Sequence, residues 1–365
     1  SMSHSNLLPV CCIRKTDVAV QIIASLYHSF PTQRTVIITH SNAALNDIFQ
    51  KVMLRGDVDE RYMVRLGAGE RDLRTSSTHD FTKVGRVEYS LHRRSILLEQ
   101  VQLLSESLGV SSKAERGKDG LPSYTCETAE FFNLDHVQSC IKQFDRRLLD
   151  LDTNNDLNAD QDVAFLFPFR SYFQIGDDEK VTQARAKEHF MALNKIFAEL
   201  EEYRPLELLP SQRQRADYLI MKQARIVAMT CTHAAIARGQ LIEIGFEYDN
   251  VVMEEAGQML EIETFIPFLL QRGASDESSR NSSGTSRLKR VCLMGDHNQL
   301  PPVVKNMAFS KFSNLDQSLF SRLIRFGVPY VELDKQGRAR AEIASLYSWR
   351  YKNLGDLDLS LIHIS

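Results

Sequence analysis

This sequence predicts an α/β fold: a parallel sheet interrupted by a largely helical insertion. Three observations lead there. Five short apolar runs, starting at Thr35, Ile226, Val251, Val291 and Tyr330, each pass directly into polar residues. One of them, Val251-Val252-Met253, ends without a break in two carboxylates, Glu254 and Glu255. Between the first run and the second, residues 55–214 carry helical periodicity instead. An apolar run that stops abruptly at acids suits a buried parallel strand whose carboxyl end opens onto a crevice, the edge where open α/β sheets bind ligands.

The bulk numbers are those of an ordinary globular protein. At 365 residues, with 43% hydrophobic and 25% charged residues, the chain can hold two or three domains. No apolar run reaches the ~18 residues needed to cross a bilayer, and the first residues carry neither a basic n-region nor an apolar h-region, so no membrane partner is expected. The net charge of -3 means that nucleic-acid contact requires a local basic surface. Cys11, Cys12, Cys126, Cys140, Cys231 and Cys292 show no metal-type CxxC spacing, and a reduced compartment accounts for them most simply.

The first fourteen residues are uninformative. Lys15-Thr16 then leads into a helix with Val18, Ile22, Ile23, Leu26 and Phe30 at helical spacing, and Thr16 or Asp17 is placed to cap it. TVIIT at 35–39 is a strand, followed by the helical HSNAALNDIFQKV. From Arg55 to Gln214 no comparable buried strand is expected. Amphipathic helices occupy Val87–Leu108 and Thr182–Tyr203, with polar loops at 111–120 and 152–162. The strand rhythm returns with IVAM, VVM, VCLM and YVEL, and a Ser-rich loop at 275–287 separates two of these. The expected division is 1–54 and 215–355 for the sheet, 55–214 for the helical insertion and 356–365 unassigned.

Adjacent acids at a sheet edge suit phosphate chemistry, one holding Mg²⁺ and the other orienting or deprotonating a water. Each motif also has a plain structural alternative: a solvated Glu-Glu pair, a capping Lys-Thr, a simple turn at Asp296-His297-Asn298-Gln299, polar caps at His40, His233 and His297. Their collinear order argues for the joint chemical reading.

VVMEEAGQ, VCLMGDHNQLPPVV and LDKQGRAR together resemble motifs II, III and the glutamine-arginine motif of superfamily 1 RNA and DNA helicases, and TVIITHSNAALNDI and IVAMTCTHAA resemble motifs Ia and Ic. The resemblance runs from about Lys15 to Gly355 and implies a RecA-like P-loop NTPase sheet using ATP and Mg²⁺. It implies that Thr16 and Glu254 hold Mg²⁺, Glu255 activates water and Gln258 senses nucleotide or positions that water. Lys15, Thr16, Asp296, Gln299 and Gln336 would bind nucleotide, and Arg338 would stabilise charge on the transferring phosphoryl group. Thr39, Ser41, Asn42, Thr230, Thr232 and His233 would line an RNA path. Within the family the match points to members acting in pre-mRNA splicing, which implies intron RNA and spliceosomal proteins as partners and the nucleus as location.

Two departures shape the expectation. The family's phosphate loop needs glycines before the Lys-Thr pair so that backbone N–H groups can wrap phosphates. Pro9, Cys12 and Arg14 stand there instead, so the chain is expected to bind ATP poorly or not at all. The resemblance also ends before a second RecA-like domain. Both ends therefore read as fragment boundaries, and the chain alone is expected not to unwind a duplex. The alternative function is a catalytically inactive RNA- or protein-binding module.

Overall fold

The computed structural model describes residues 7–11, 15–68, 80–110, 124–153, 167–176, 181–271, 287–336 and 339–356. Its contacts divide the chain into two compact units, one comprising Ser1–Arg86 with Ala216–Ser365 and the other Val87–Arg215.

The first unit is built on a sheet of β1 (Leu7–Cys11), β2 (Thr35–Thr39), β3 (Met63–Arg65), β4 (Ile226–Thr230), β5 (Asn250–Met253), β6 (Arg290–Gly295) and β7 (Val331–Glu332). Their spatial order is β3-β4-β2-β5-β6-β1-β7, and every pairing is parallel. The parallel RecA-like α/β architecture expected from the motifs is therefore present. All five apolar runs enter the sheet, four of them at its centre. The fifth is reduced to the exposed two-residue β7 at an edge.

Burial on both faces explains the continuous apolar character of the central strands. Val36, Ile37, Ile38, Val252 and Met253 have no exposed surface. Fully burying each such side chain stabilises by roughly 1.5–3 kcal/mol. One face is covered by α1 (Lys15–Ser29) and α2 (Asn42–Arg55), whose Ala19, Ile23, Leu45, Ile48 and Phe49 share a core with Ile37, Ala228 and Val252. Ser41 caps α2 by accepting from the Ala44 N–H, and Gly56 ends it in the left-handed conformation at φ 69°. At the amino-terminal edge of the sheet, Arg34 donates to the carbonyls of Met221, Ala224 and Glu247, a buried clamp that holds the strand starts together. Burial pulls its guanidinium down to about 10.

Three expectations need correction. The segment from Arg55 to Gln214 does hold a buried strand: β3 is the outer strand beyond β4, missed because three residues carry too little periodicity. β1 was not anticipated either, although it lies between β6 and β7. Thr16 and Asp17 do not precede α1 as caps but sit inside its first turn.

The described part of the second unit is mainly helical, with a turn segment at 167–176. It contains α4 (Cys126–Phe132), α5 (Gln138–Thr153), α6 (Gln183–Leu208) and most of α3 (Lys83–Ser107). Phe144, Phe167, Phe169 and Phe190 form its aromatic centre, and Arg94 pairs with Glu207 at 2.7 Å.

Candidate functional site

The carboxyl ends of β5 and β6 build the site. The ladder continues one residue past β5, where the Glu254 N–H donates to the Ile38 carbonyl at 3.0 Å. Glu255 then turns the chain with φ 58°, a left-handed conformation costing a non-glycine residue roughly 1–3 kcal/mol. Strain of this kind persists only where the surroundings enforce it, and here the surroundings are close. A Cβ on Gly257 would lie 3.0 Å from the Asp296 carbonyl oxygen, and one on Gly295 would lie 2.7 Å from the Gly257 nitrogen. The two glycines let the EEAGQ and GDHNQ turns pass backbone against backbone.

A cleft of ≈ 470 Å³ opens at this rim. Lys15, Thr16, Glu254, Glu255, Gln258, Gln299 and Gln336 line it, together with Asp47, Asn298, Tyr347, Arg350 and Tyr351. The Thr16 hydroxyl, in the first turn of α1, donates to Glu254 Oε1 at 2.5 Å across 238 positions of sequence. Glu254 is only 4% exposed. Burial raises its pKa most, the Thr16 hydrogen bond opposes that, and the neighbouring Glu255 charge raises it further. A desolvated carboxylate beside a second one and a hydroxyl is an oxygen-only donor set whose charge a hard divalent cation would relieve, so these residues fit Mg²⁺.

Asp296 is buried and does not line the cleft. It accepts from the Asn298 N–H at 2.9 Å, from Gln299 Nε2 at 2.8 Å and from the Tyr351 hydroxyl at 2.7 Å, so its carboxylate organises the turn and aims Gln299. Gln336 bonds the backbone of Ala339 through both ends of its amide, at 2.6 and 2.9 Å. Arg338 lies outside the described residues, as do Cys12 and Arg14 of the expected phosphate loop. Pro9 lies in β1.

The residues expected along an RNA path follow β2 and β4, neighbouring strands of the sheet. Much of their hydrogen bonding is local. Thr39 is buried and donates to the Ser41 carbonyl at 2.7 Å, while Ser41 and Thr230 cap the helices that follow them. Thr232 and Asn42 are exposed, and His233 is half-buried. Burial, then Arg65, then Lys83 lower the His233 pKa, which keeps the ring neutral at pH 7. Arg65 went unnoticed in the sequence. It is fully buried at the end of β3, donating to Asn42 Oδ1 at 2.7 Å and Asn46 Oδ1 at 3.3 Å, and so brings positive charge to this part of the rim. Arg350 and Tyr351 were also missed. Arg350 Nη1 donates to the Asn298 carbonyl at 3.0 Å, and Asn298 Nδ2 returns a bond to the Arg350 carbonyl at 3.1 Å. No spacing rule links residues 52 positions apart, so nothing in the sequence marked that pair.

A protein-family profile described as AAA domain matches residues 13–307. The chain belongs to that family, which is the superfamily 1 helicase group its motifs resemble. Helicases of this kind use a nucleotide and Mg²⁺. RNA helicase aquarius of Mus musculus is 51% identical over 353 residues, covering 94% of this chain and 22% of that protein. Pre-mRNA-splicing factor cwf11 of Schizosaccharomyces pombe is 24% identical over 346 residues, covering 92% of this chain and 24% of that protein. The chain thus spans under a quarter of the length of these relatives. Among the described residues, no helix is long and apolar enough to cross a membrane.

Proposed function

We propose that the chain is part of an ATP-dependent RNA helicase acting in pre-mRNA splicing in the nucleus, with intron RNA and spliceosomal proteins as its partners. The observation that carries this reading is the convergence of Lys15, Thr16, Glu254, Glu255, Gln258, Gln299 and Gln336 on one cleft at the carboxyl rim of a parallel sheet. Relatives named as an RNA helicase and a pre-mRNA-splicing factor supply the substrate class and the process.

In this reading Glu254 and the Thr16 hydroxyl would hold Mg²⁺, which would supply charge neutralisation at the phosphates. Lys15 faces the same phosphates. Glu255, fixed by its left-handed turn, orients or deprotonates the attacking water, and Gln258 positions that water. Gln299 reaches towards the terminal phosphate from a turn held by Asp296. Gln336 holds the backbone flanking Arg338, whose guanidinium would meet the charge that develops on the transferring group. Asn42, Thr232 and His233 track the RNA backbone, while Thr39, Ser41 and Thr230 shape the turns and helix caps that carry them, and contacts of that kind are insensitive to base sequence.

Cys12 and Arg14, at positions where the family's cradle uses glycine, favour a second reading of this particular chain, an RNA- or protein-binding module that does not turn over ATP; Pro9 falls within β1 and not in that loop. Filter binding of single-stranded RNA with and without Mg²⁺–ATP separates the two. Affinity that shifts with nucleotide supports the helicase reading, and affinity blind to nucleotide supports the module.

A further inference from the structure

We propose that His40, Cys231 and Glu263 form a binding site for a thiophilic divalent cation of the zinc class. One ligand atom from each lies within 4.8 Å of the other two. The three come from different elements. His40 directly follows β2, Cys231 opens α7 (Cys231–Glu243) directly after β4, and Glu263 lies in α8 (Glu261–Phe265), beyond β5. Because β4, β2 and β5 are neighbours in the sheet, an ion here would clip three successive turns of the rim together. This site uses none of the residues assigned to the nucleotide cleft and stands independently of the helicase reading.

The donor set decides the class of ion. Imidazole nitrogen, thiolate sulfur and carboxylate oxygen match zinc, which accepts three protein ligands and leaves a fourth position for water or an incoming ligand. Mg²⁺ and Ca²⁺ prefer oxygen alone and are disfavoured by the sulfur. A tetrahedral zinc site places donor atoms about 3.3–3.8 Å apart, so closing the group takes a contraction of at most roughly 1.5 Å. The exposed His40 has room to make that movement. The carboxylate is already oriented, since Glu263 Oε2 accepts from the Leu260 N–H at 3.2 Å. Cys231 is 1% exposed, a setting that protects a thiol from oxidation, and on binding its proton passes to solvent as the sulfur–metal bond forms.

The test uses the whole chain, stripped with chelator and titrated with Co²⁺ while the thiolate-to-cobalt charge-transfer absorption is followed, then with Zn²⁺ as competitor. A saturable band of one ion per chain, displaced by Zn²⁺, is expected. Cys231→Ser should abolish the band and Cys140→Ser should leave it unchanged. His40→Ala and Glu263→Gln should weaken binding by more than the roughly tenfold that loss of an outer-shell partner costs. His40 is exposed, so its variant folds whether or not Cys231→Ser does. The absence of a saturable band overturns the proposal, and so does binding that His40→Ala leaves unchanged.

Discussion

Thr16→Val tests whether the start of α1 and the end of β5 are coupled as described. The substitution keeps side-chain shape and removes the hydroxyl that donates to Glu254 Oε1. Thr16 is 7% exposed and Glu254 4%, so water cannot readily replace the bond. A hydrogen bond to a charged group contributes about 1.5–3 kcal/mol, and the variant should lose that much at pH 7.5. The pH dependence identifies the cause. Burial already raises the Glu254 pKa above its ordinary value, and the Thr16 bond holds it down. The folded variant therefore takes up a proton more readily than the folded wild type, while the unfolded chains are alike. Its deficit should be full above the folded pKa and should shrink as pH falls through it, because a protonated carboxyl needs the donor less. Urea unfolding followed by circular dichroism at pH 7.5 and at pH 4, below the ordinary carboxylate value, measures both effects. A deficit under about 0.5 kcal/mol, or one of equal size at the two pH values, would refute the coupling.

Three further substitutions probe the rim. Gly295→Ala pushes a methyl to 2.7 Å from the Gly257 nitrogen, and denaturation should register a loss of about 1–3 kcal/mol. Glu255→Gly removes the penalty of φ 58° and should raise stability by about 1 kcal/mol in the same assay, with the carboxylate lost. Arg65→Met should destabilise by roughly 1–3 kcal/mol through loss of the buried hydrogen bonds to Asn46 and to the Leu66 carbonyl. It should also raise the His233 pKa in an NMR titration, because Arg65 is the largest charge lowering it.

The sheet was legible to the extent that its strands are buried on both faces. TVIIT, IVAM and VVM are continuous apolar runs because neighbouring strands and helices enclose them, VCLM is half-buried at Val291 and Cys292, and each ends at the carboxyl rim of the sheet. Val331–Glu332 and Met63–Arg65 illustrate the limit: edge strands two and three residues long are set by the neighbour they pair with, not by their own pattern. The cleft residues were legible as types and order, since Lys15, Thr16, Glu254, Glu255, Gln258, Gln299 and Gln336 share one cavity. What the sequence hides is which polar groups are committed to the scaffold. The buried Asp296 carboxylate accepts from the Asn298 N–H, Gln299 and Tyr351, and Ser41 and Thr230 serve as helix caps. Arg65, Arg350 and Tyr351 join the rim through contacts with residues far along the chain, which no local spacing reports.

In the proposed function the rim cleft is a Mg²⁺–nucleotide site centred on Glu254, weakened by side chains where the phosphate cradle needs glycine. Calorimetric titration of Mg²⁺–ATP into the chain and into Glu254→Gln tests both parts at once. Weak binding, in the millimolar range and lost in the variant, is the expected result, corresponding to about 4 kcal/mol. Micromolar affinity would contradict the weakened cradle, and binding of equal strength in Glu254→Gln would contradict the site itself.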